Sequence, residues 1–421
     1  MAFIKKKRKE AVLERAEGIL HSEFFLQSVA PQSIGIEELV NCLIRDAVEH
    51  NASDIHIEPW ENAIAVRIRI NGALVEMIHL PLELREKISG RIKVMAELKS
   101  HVTGVALDGK CNMGPDFNNI QLRVSIIPTI LGEKVVCRIF DPNSQLFDIS
   151  KLGFDDHTLN EWIKMLEKPN GLLLLNGPTG CGKTTAIYAS LMHLINKMGT
   201  SISVASVEDP VEVHLPTVSQ VFLNSDSGFT FASALRGLMR QDPEVIMVGE
   251  IRDQETAGIA VQAGLTGHMV ISTVHSGTTA GVFARLINMD IEPFLLSSSI
   301  LGILGLRLVR KNCPNCLVSY EPEMIIAGVS EDRLKEATFA RSEGCDQCSG
   351  SGFSGRFSIC ELLKVDDEIR DAVMAKKPTR RIVEIAEANG MKPLWTTGIE
   401  HALNGVTTVE EIMNKTAADQ V

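Results

Sequence analysis

Hydrophobic positions along this chain follow one rule near its start and another in its middle. Ile36, Leu39, Val40, Leu43, Ile44 and Val48 recur three to four residues apart, the spacing of a helix with one buried stripe. Asp54-Ile55-His56-Ile57-Glu58 and then Ile64 to Ile70 alternate in the manner of half-buried strands, and Asn71-Gly72 supplies a tight turn. A second two-strand unit, Ile120 to Ile127 and Lys134 to Phe140, is joined by a segment with Pro128 and Gly132. These patterns predict an α+β domain over residues 33–145, preceded by a charged lead over residues 1–32.

From Leu172 the apolar residues cluster instead. Leu172-Leu173-Leu174-Leu175, Ser203-Val204-Ala205, Val245-Ile246-Met247-Val248 and Met269-Val270-Ile271-Ser272 are short continuous runs separated by helical segments. Strands buried on both faces and alternating with helices predict a parallel sheet, here an α/β domain over residues 146–310. Pro293 to Leu306 is the most apolar stretch; it falls short of the roughly 20 residues that span a bilayer and is expected to be a buried helix. A cysteine-rich segment, residues 311–365, and a helical region, residues 366–421, complete the expected organisation.

Composition narrows the function classes. Of 421 residues, 45% are hydrophobic and 23% charged, the balance of a folded chain. Lys+Arg total 42 against 53 Asp+Glu, and the net charge of −11 argues against nucleic acid as a partner held by a broad positive surface. Lys5, Lys6, Lys7, Arg8 and Lys9 form a basic run, read as a solvated terminus in preference to a contact with anionic lipid. Glu10, Glu14, Arg15 and Glu17 interrupt any signal-peptide core, so a cytoplasmic location with reduced thiols is expected.

Gly177-Pro178-Thr179-Gly180-Cys181-Gly182-Lys183-Thr184 fits G-x-x-x-x-G-K-[ST], with an apolar strand before it and a helical stretch from Thr185 after it. Glycines let backbone N–H groups converge on phosphate oxygens, and a helix N-terminus favours the anion. Lys183 is then expected to reach the β- and γ-phosphates, and Thr184 to ligate Mg²⁺. Glu208 ends one apolar strand and Glu250 follows another, the places where phosphoryl-transfer enzymes keep a water-activating base or a carboxylate that polarises water or Mg²⁺. His268 and His275 bracket the strand Met269 to Val274 and are candidates for a γ-phosphate or coupling role.

Asn176 to Thr185, Val207 to Glu212, Arg236 to Asp253 and Leu265 to His275, in this order, resemble the type II secretion and type IV pilus assembly ATPase family. The four stretches are similar to its Walker A, Asp box, atypical Walker B and His box. Ala52 to Pro59 and Arg123-Val124-Ser125 also resemble the family's N-terminal subdomain. The resemblance implies a PAS-like N-terminal subdomain, a RecA-like P-loop ATPase domain and a zinc-binding, mostly helical C-terminal region. It further implies a homohexamer that uses ATP and Mg²⁺ at the cytoplasmic face of the inner membrane. There the ring would turn a platform protein during pilin or pseudopilin assembly, as in pilus extension or type II secretion. Arg123 and Arg138 match arginines that close over the nucleotide; Arg236 and Arg240 match arginines near the active site or subunit interface. Asn71, Cys181, Ser276-Gly277 and Leu306 depart from the family's usual residues. A RecA-like nucleic-acid translocase or DNA-uptake motor is the rival reading, against which the acidic balance stands.

Cys313-x-x-Cys316 and Cys345-x-x-Cys348 offer four thiolates, a structural zinc set, and Gly350 and Gly352 permit tight turns beside it. Cys42, Cys111, Cys137 and Cys360 read as small apolar residues. Cys181 stands at a helix N-terminus, which lowers thiol pKa, so alkylation is expected to inactivate the nucleotide-free protein and ATP to protect it. Thr407 or Thr408 is expected to cap the last helix.

Overall fold

The computed structural model describes residues 35–140, 147–223, 228–322, 326, 328–348 and 350–416. The charged lead, its basic run and the boundary near residue 145 lie outside the described residues. The chain forms two compact units.

The first unit runs α1 (Ile36–Glu49), β1 (Asp54–Pro59), β2 (Ile64–Ile70), β3 (Ala73–Leu80), α2 (Arg85–Met95), β4 (Leu107–Asn112), β5 (Gln121–Thr129) and β6 (Gly132–Phe140). One sheet in the order β3-β2-β1-β6-β5-β4 joins them, each neighbouring pair antiparallel. The β2–β3 turn takes the expected form, with Asn71 at φ 50° and Gly72 at φ 87°. Leu39, Val40, Leu43 and Ile44 of α1 pack on Ile55, Ile57, Ile68, Leu122 and Val124 of the sheet. Cys313–Cys316 and Ser342–Ser354 belong to this unit, where Asn71 Nδ2 donates to the Phe353 carbonyl at 3.3 Å.

The second unit contains α3 (Asp156–Leu166), β7 (Gly171–Asn176), α4 (Lys183–Met198), β8 (Val204–Glu208), β9 (Val218–Phe222), α5 (Phe231–Leu238), β10 (Val245–Val248), α6 (Gln254–Leu265), β11 (Met269–Val274), α7 (Gly281–Asn288) and α8 (Pro293–Ser299). Then follow β12 (Ile300–Asn312), β13 (Leu317–Ser319), α9 (Glu331–Lys335), β14 (Ala340–Ser342), β15 (Phe353–Lys364), α10 (Asp367–Met374), α11 (Thr379–Ala388), α12 (Leu394–Leu403) and α13 (Val409–Thr416). The main sheet has the order β15-β12-β7-β11-β10-β8-β9, and β12 through β9 run parallel. Every residue of β7, β8, β10 and β11 is buried, as the continuous apolar runs require. Trp162 of α3, fully buried, donates from Nε1 to Ser190 Oγ of α4 at 2.9 Å and ties these helices together.

Two segments differ from expectation. Pro293 to Leu306 is not one helix: α8 ends at Ser299 and the chain continues as β12. An unbroken apolar run carries no period to separate helix from strand. Gly302 and Gly305 suit the strand, because a Cβ on Gly302 would stand 2.8 Å from Met165 Sδ and one on Gly305 2.9 Å from Glu361 Cγ. Gly355 to Leu363, within the segment expected to be cysteine-rich, lies in β15, an edge strand of the main sheet with Ile359, Cys360 and Leu363 buried. Of the two threonines, Thr408 caps α13 by accepting from Glu411 N at 3.1 Å, while buried Thr407 donates to the Arg310 carbonyl at 2.8 Å. No described helix is long and apolar enough to cross a membrane.

Candidate functional site

The phosphate loop leaves β7 at Gly177 and enters α4 at Lys183. Gly177, Gly180 and Gly182 have φ of 150°, 75° and 99°, conformations that a side chain would strain. A Cβ on Gly177 would also meet Cys181 Sγ and the Leu306 carbonyl at 2.6 Å. Pro178, Thr179 and Gly180 are exposed, while Thr184 and Thr185 are half-buried in the first turn of α4. Lys183 is 9% exposed and folds back, donating from Nζ to the Gly177 and Pro178 carbonyls at 2.7 and 2.9 Å. Burial pulls its ammonium below the usual lysine value.

Two further groups converge on this loop. Glu250 follows β10, its side chain 17% exposed, and its carboxylate pairs with Arg252. The charge of Glu250 acts on both Lys183 and His275, which places the three groups in one electrostatic neighbourhood. His275 follows β11, with Nδ1 3.1 Å from the Gly177 carbonyl. Loss of water from part of the ring, and then the Lys183 cation, hold this imidazole below its usual pKa, so it is neutral at pH 7.

Other residues singled out by sequence stand elsewhere. His268 precedes β11, and in the parallel sheet Met269 is level with Gly171 whereas Val274 is level with Asn176. The seven steps from His268 to His275, at about 3.3 Å each, put His268 at the end of the sheet opposite the phosphate loop. Its Nδ1 lies 3.2 Å from the Ala263 carbonyl, a structural contact. Arg236 lies in the last turn of α5 and pairs with Glu255 at 2.7 Å across an exposed surface. Exposed Arg240 follows it just before β10 begins, again at the sheet end away from the loop. Arg123 and Arg138 belong to the first unit, opposite one another on β5 and β6. There Arg138 Nε binds Asp54 at 2.8 Å, and Arg123 lies over the Phe140 ring at 5.5 Å.

Glu208 does not offer a free carboxylate. It is 3% exposed; Oε2 accepts from the Tyr188 hydroxyl, and Oε1 accepts from Ser206 Oγ at 2.6 Å and Gln220 Nε2 at 3.1 Å. The role expected for it, polarising water or Mg²⁺, gives way to fastening α4 against β8 and β9. Cys181 likewise departs from expectation: its thiol is 3% exposed, and burial raises its pKa in spite of the helix N-terminus and Lys183. The inactivation by alkylation expected from the sequence is therefore withdrawn. Sequence reasoning missed Arg252, Tyr188 and Arg307. Arg307 is a buried cation inside an apolar strand, with Nη1 3.2 Å from where a Gly177 Cβ would stand. A charge in such a run was the available signal.

The four cysteines of the paired knuckles come together, with all four sulfurs within 4.8 Å of one another. Cys313–Cys345 and Cys316–Cys348 stand 3.9 Å apart and Cys345–Cys348 3.8 Å. A tetrahedral zinc with Zn–S bonds of about 2.3 Å separates its sulfurs by about 3.8 Å, whereas a disulfide needs about 2.05 Å. Backbone N–H groups of Cys345 and Gly352 point at Cys348 Sγ at 3.1 and 3.3 Å, the outer support usual for a thiolate ligand. Gly350 and Gly352, both at φ 73°, make the turns. The donor set fits zinc. Purified protein is expected to carry about one zinc per chain, and Cys345→Ser/Cys348→Ser to lower Tm by on the order of 10 °C, read by metal analysis and calorimetry.

A profile of the family described as Type II/IV secretion system protein matches residues 30–414. The type IV pilus assembly ATPase PilB of Myxococcus xanthus is 40% identical over 391 residues, spanning 91% of this chain and 68% of that protein. The type II secretion system protein E of Pseudomonas aeruginosa is 41% identical over 384 residues, spanning 90% of this chain and 75% of that protein. The solved structure of the pilus retraction motor PilT with bound ADP has the same fold, with a TM-score of 0.61 at 24% identity over 91% of this chain and 97% of its own. On this agreement the chain belongs to the Type II/IV secretion system protein family of pilus-assembly and secretion ATPases.

Proposed function

We propose that the chain is a Mg²⁺-dependent ATPase that drives filament assembly, as pilus extension or type II secretion, at the cytoplasmic face of the inner membrane. The observation that carries this reading is the meeting of Lys183, Glu250 and His275 at the phosphate loop, at the carboxyl end of a parallel sheet. ATP phosphates fill the loop. Lys183 exchanges its two carbonyl partners for β- and γ-phosphate oxygens, and the Thr184 hydroxyl would hold Mg²⁺, which would supply charge neutralisation there. Gly177, Pro178, Thr179, Gly180, Cys181, Gly182 and Thr185 complete the cradle.

Glu250 accepts a proton from the attacking water or orients it; Arg252 must first release its carboxylate. Neutral His275 offers one donor and one acceptor at the loop's edge. Glu208 acts as a positioning residue through Tyr188. Arg123 and Arg138 on one unit, and Arg236 and Arg240 on the other, supply cations across subunits of a homohexamer. Zinc on Cys313, Cys316, Cys345 and Cys348 is structural, since a closed four-thiolate site leaves no open position. An inner-membrane platform protein is the partner.

Phosphate release tests this reading. The chain with Mg-ATP is expected to turn over, and the cytoplasmic domain of the platform protein to raise the rate severalfold while DNA leaves it unchanged. Stimulation by DNA alone would overturn it.

A further inference from the structure

Glu361 is a buried carboxylate with no part in the site as described so far. It lies in β15 and is 8% exposed. Both of its oxygens are engaged: Oε1 accepts from the Thr279 hydroxyl, and Oε2 accepts from Leu394 N, the first residue of α12, at 3.1 Å. Thr279 is 2% exposed and ends the short segment that leaves β11 with His275 at its head. The head of that segment is pinned separately. Ser276 N donates to Asn176 Oδ1 at 2.9 Å, beside the 3.1 Å contact of His275 with the Gly177 carbonyl.

The surroundings are shaped for this pairing. Gly305 of β12 stands level with Asn176, the last residue before the phosphate loop. A Cβ there would overlap Thr279 Oγ1 and come within 2.9 Å of Glu361 Cγ, so the bare glycine is what lets the pair reach the sheet. Burial raises the Glu361 pKa above the usual carboxylate value; the charge of Arg307, two residues beyond Gly305 and also buried, opposes that rise, and Arg307 lies against Gly177. A buried carboxylate is a costly fastener between packed segments, which apolar side chains would join without desolvating a charge.

We infer that Glu361 is a positioning residue that, through Thr279, holds the segment 275–280 so that His275 stays against the phosphate loop. Through Leu394 N it anchors the start of α12 to the same point. The inference rests on the role proposed above for His275. Glu361 itself touches no substrate; it acts through the backbone that carries the histidine.

Thr279→Val keeps the shape and removes the hydroxyl donor. A cycle of Thr279→Val and His275→Ala, with kcat and KM for Mg-ATP and thermal unfolding for each protein, tests the inference. Thr279→Val is expected to lower kcat about tenfold with KM within about twofold, and to cost nothing further in the His275→Ala background. A general loosening of the fold would cost the same in both backgrounds and would overturn the inference. Thr279→Val at parental kcat beside a slow His275→Ala would overturn this inference alone. His275→Ala at parental kcat would overturn the site reading beneath it. Should Thr279→Val not fold, Thr279→Ala, which removes the hydroxyl without adding a methyl in its place, takes its place in the cycle with the same outcomes.

Discussion

Lys183→Ala abolishes ATP turnover, with a loss on the order of 10³-fold in phosphate release. The ammonium already lies inside the loop, bonded to the Gly177 and Pro178 carbonyls at 2.7 and 2.9 Å. It is also 9% exposed, so little water competes for it when phosphate arrives. Alanine removes the only lysine of the loop and leaves the strained glycines converging on an anion without it. The first turn of α4 tolerates the change, because alanine is the best helix former and Gly182 remains at φ 99° to start the helix. Nucleotide affinity and the circular dichroism spectrum, measured beside phosphate release, separate loss of the cation from loss of the fold.

Glu250→Gln has the second large effect, a fall of about 10²–10³-fold in kcat with ATP still bound. Glutamine keeps the length of the side chain and an oxygen for Arg252, so the loop after β10 stays in place. What it loses is the ability to take a proton. Glu208 does not substitute for it, since Tyr188, Ser206 and Gln220 hold that carboxylate in a buried network. The two glutamates look alike in sequence, each at the end of an apolar strand. Their partners separate them: an exposed arginine two residues away for Glu250, and donors from α4, β8 and β9 for Glu208.

That contrast marks what the sequence made legible. The phosphate loop is contiguous, so its place between β7 and α4 could be read directly from Gly177 to Thr184. The parallel sheet was readable because strands buried on both faces leave unbroken apolar runs. The knuckles were readable because four thiols in two paired turns are the donor set of a tetrahedral metal site. Features that depend on distant residues were not. Glu361 meets a threonine 82 positions earlier, and Glu208 meets a tyrosine 20 positions earlier. His268 and His275 bracket one strand symmetrically in sequence, yet a strand has two ends and only one faces the loop. Cys181 stands at a helix N-terminus, but only packing shows that its sulfur fills the space left by Gly177. The run from Pro293 to Leu306 lacked periodicity, and the partner strand β7, far away in sequence, decided its second half.

The account turns on hydrolysis at this loop by a base in position 250. The direct measurement mixes excess protein with Mg-ATP, quenches through a single turnover, and follows bound ATP and ADP for the parent and for Glu250→Gln. The parent is expected to yield ADP and phosphate, and the variant to hold intact, bound ATP. ADP formed by Glu250→Gln at the parental rate would contradict it.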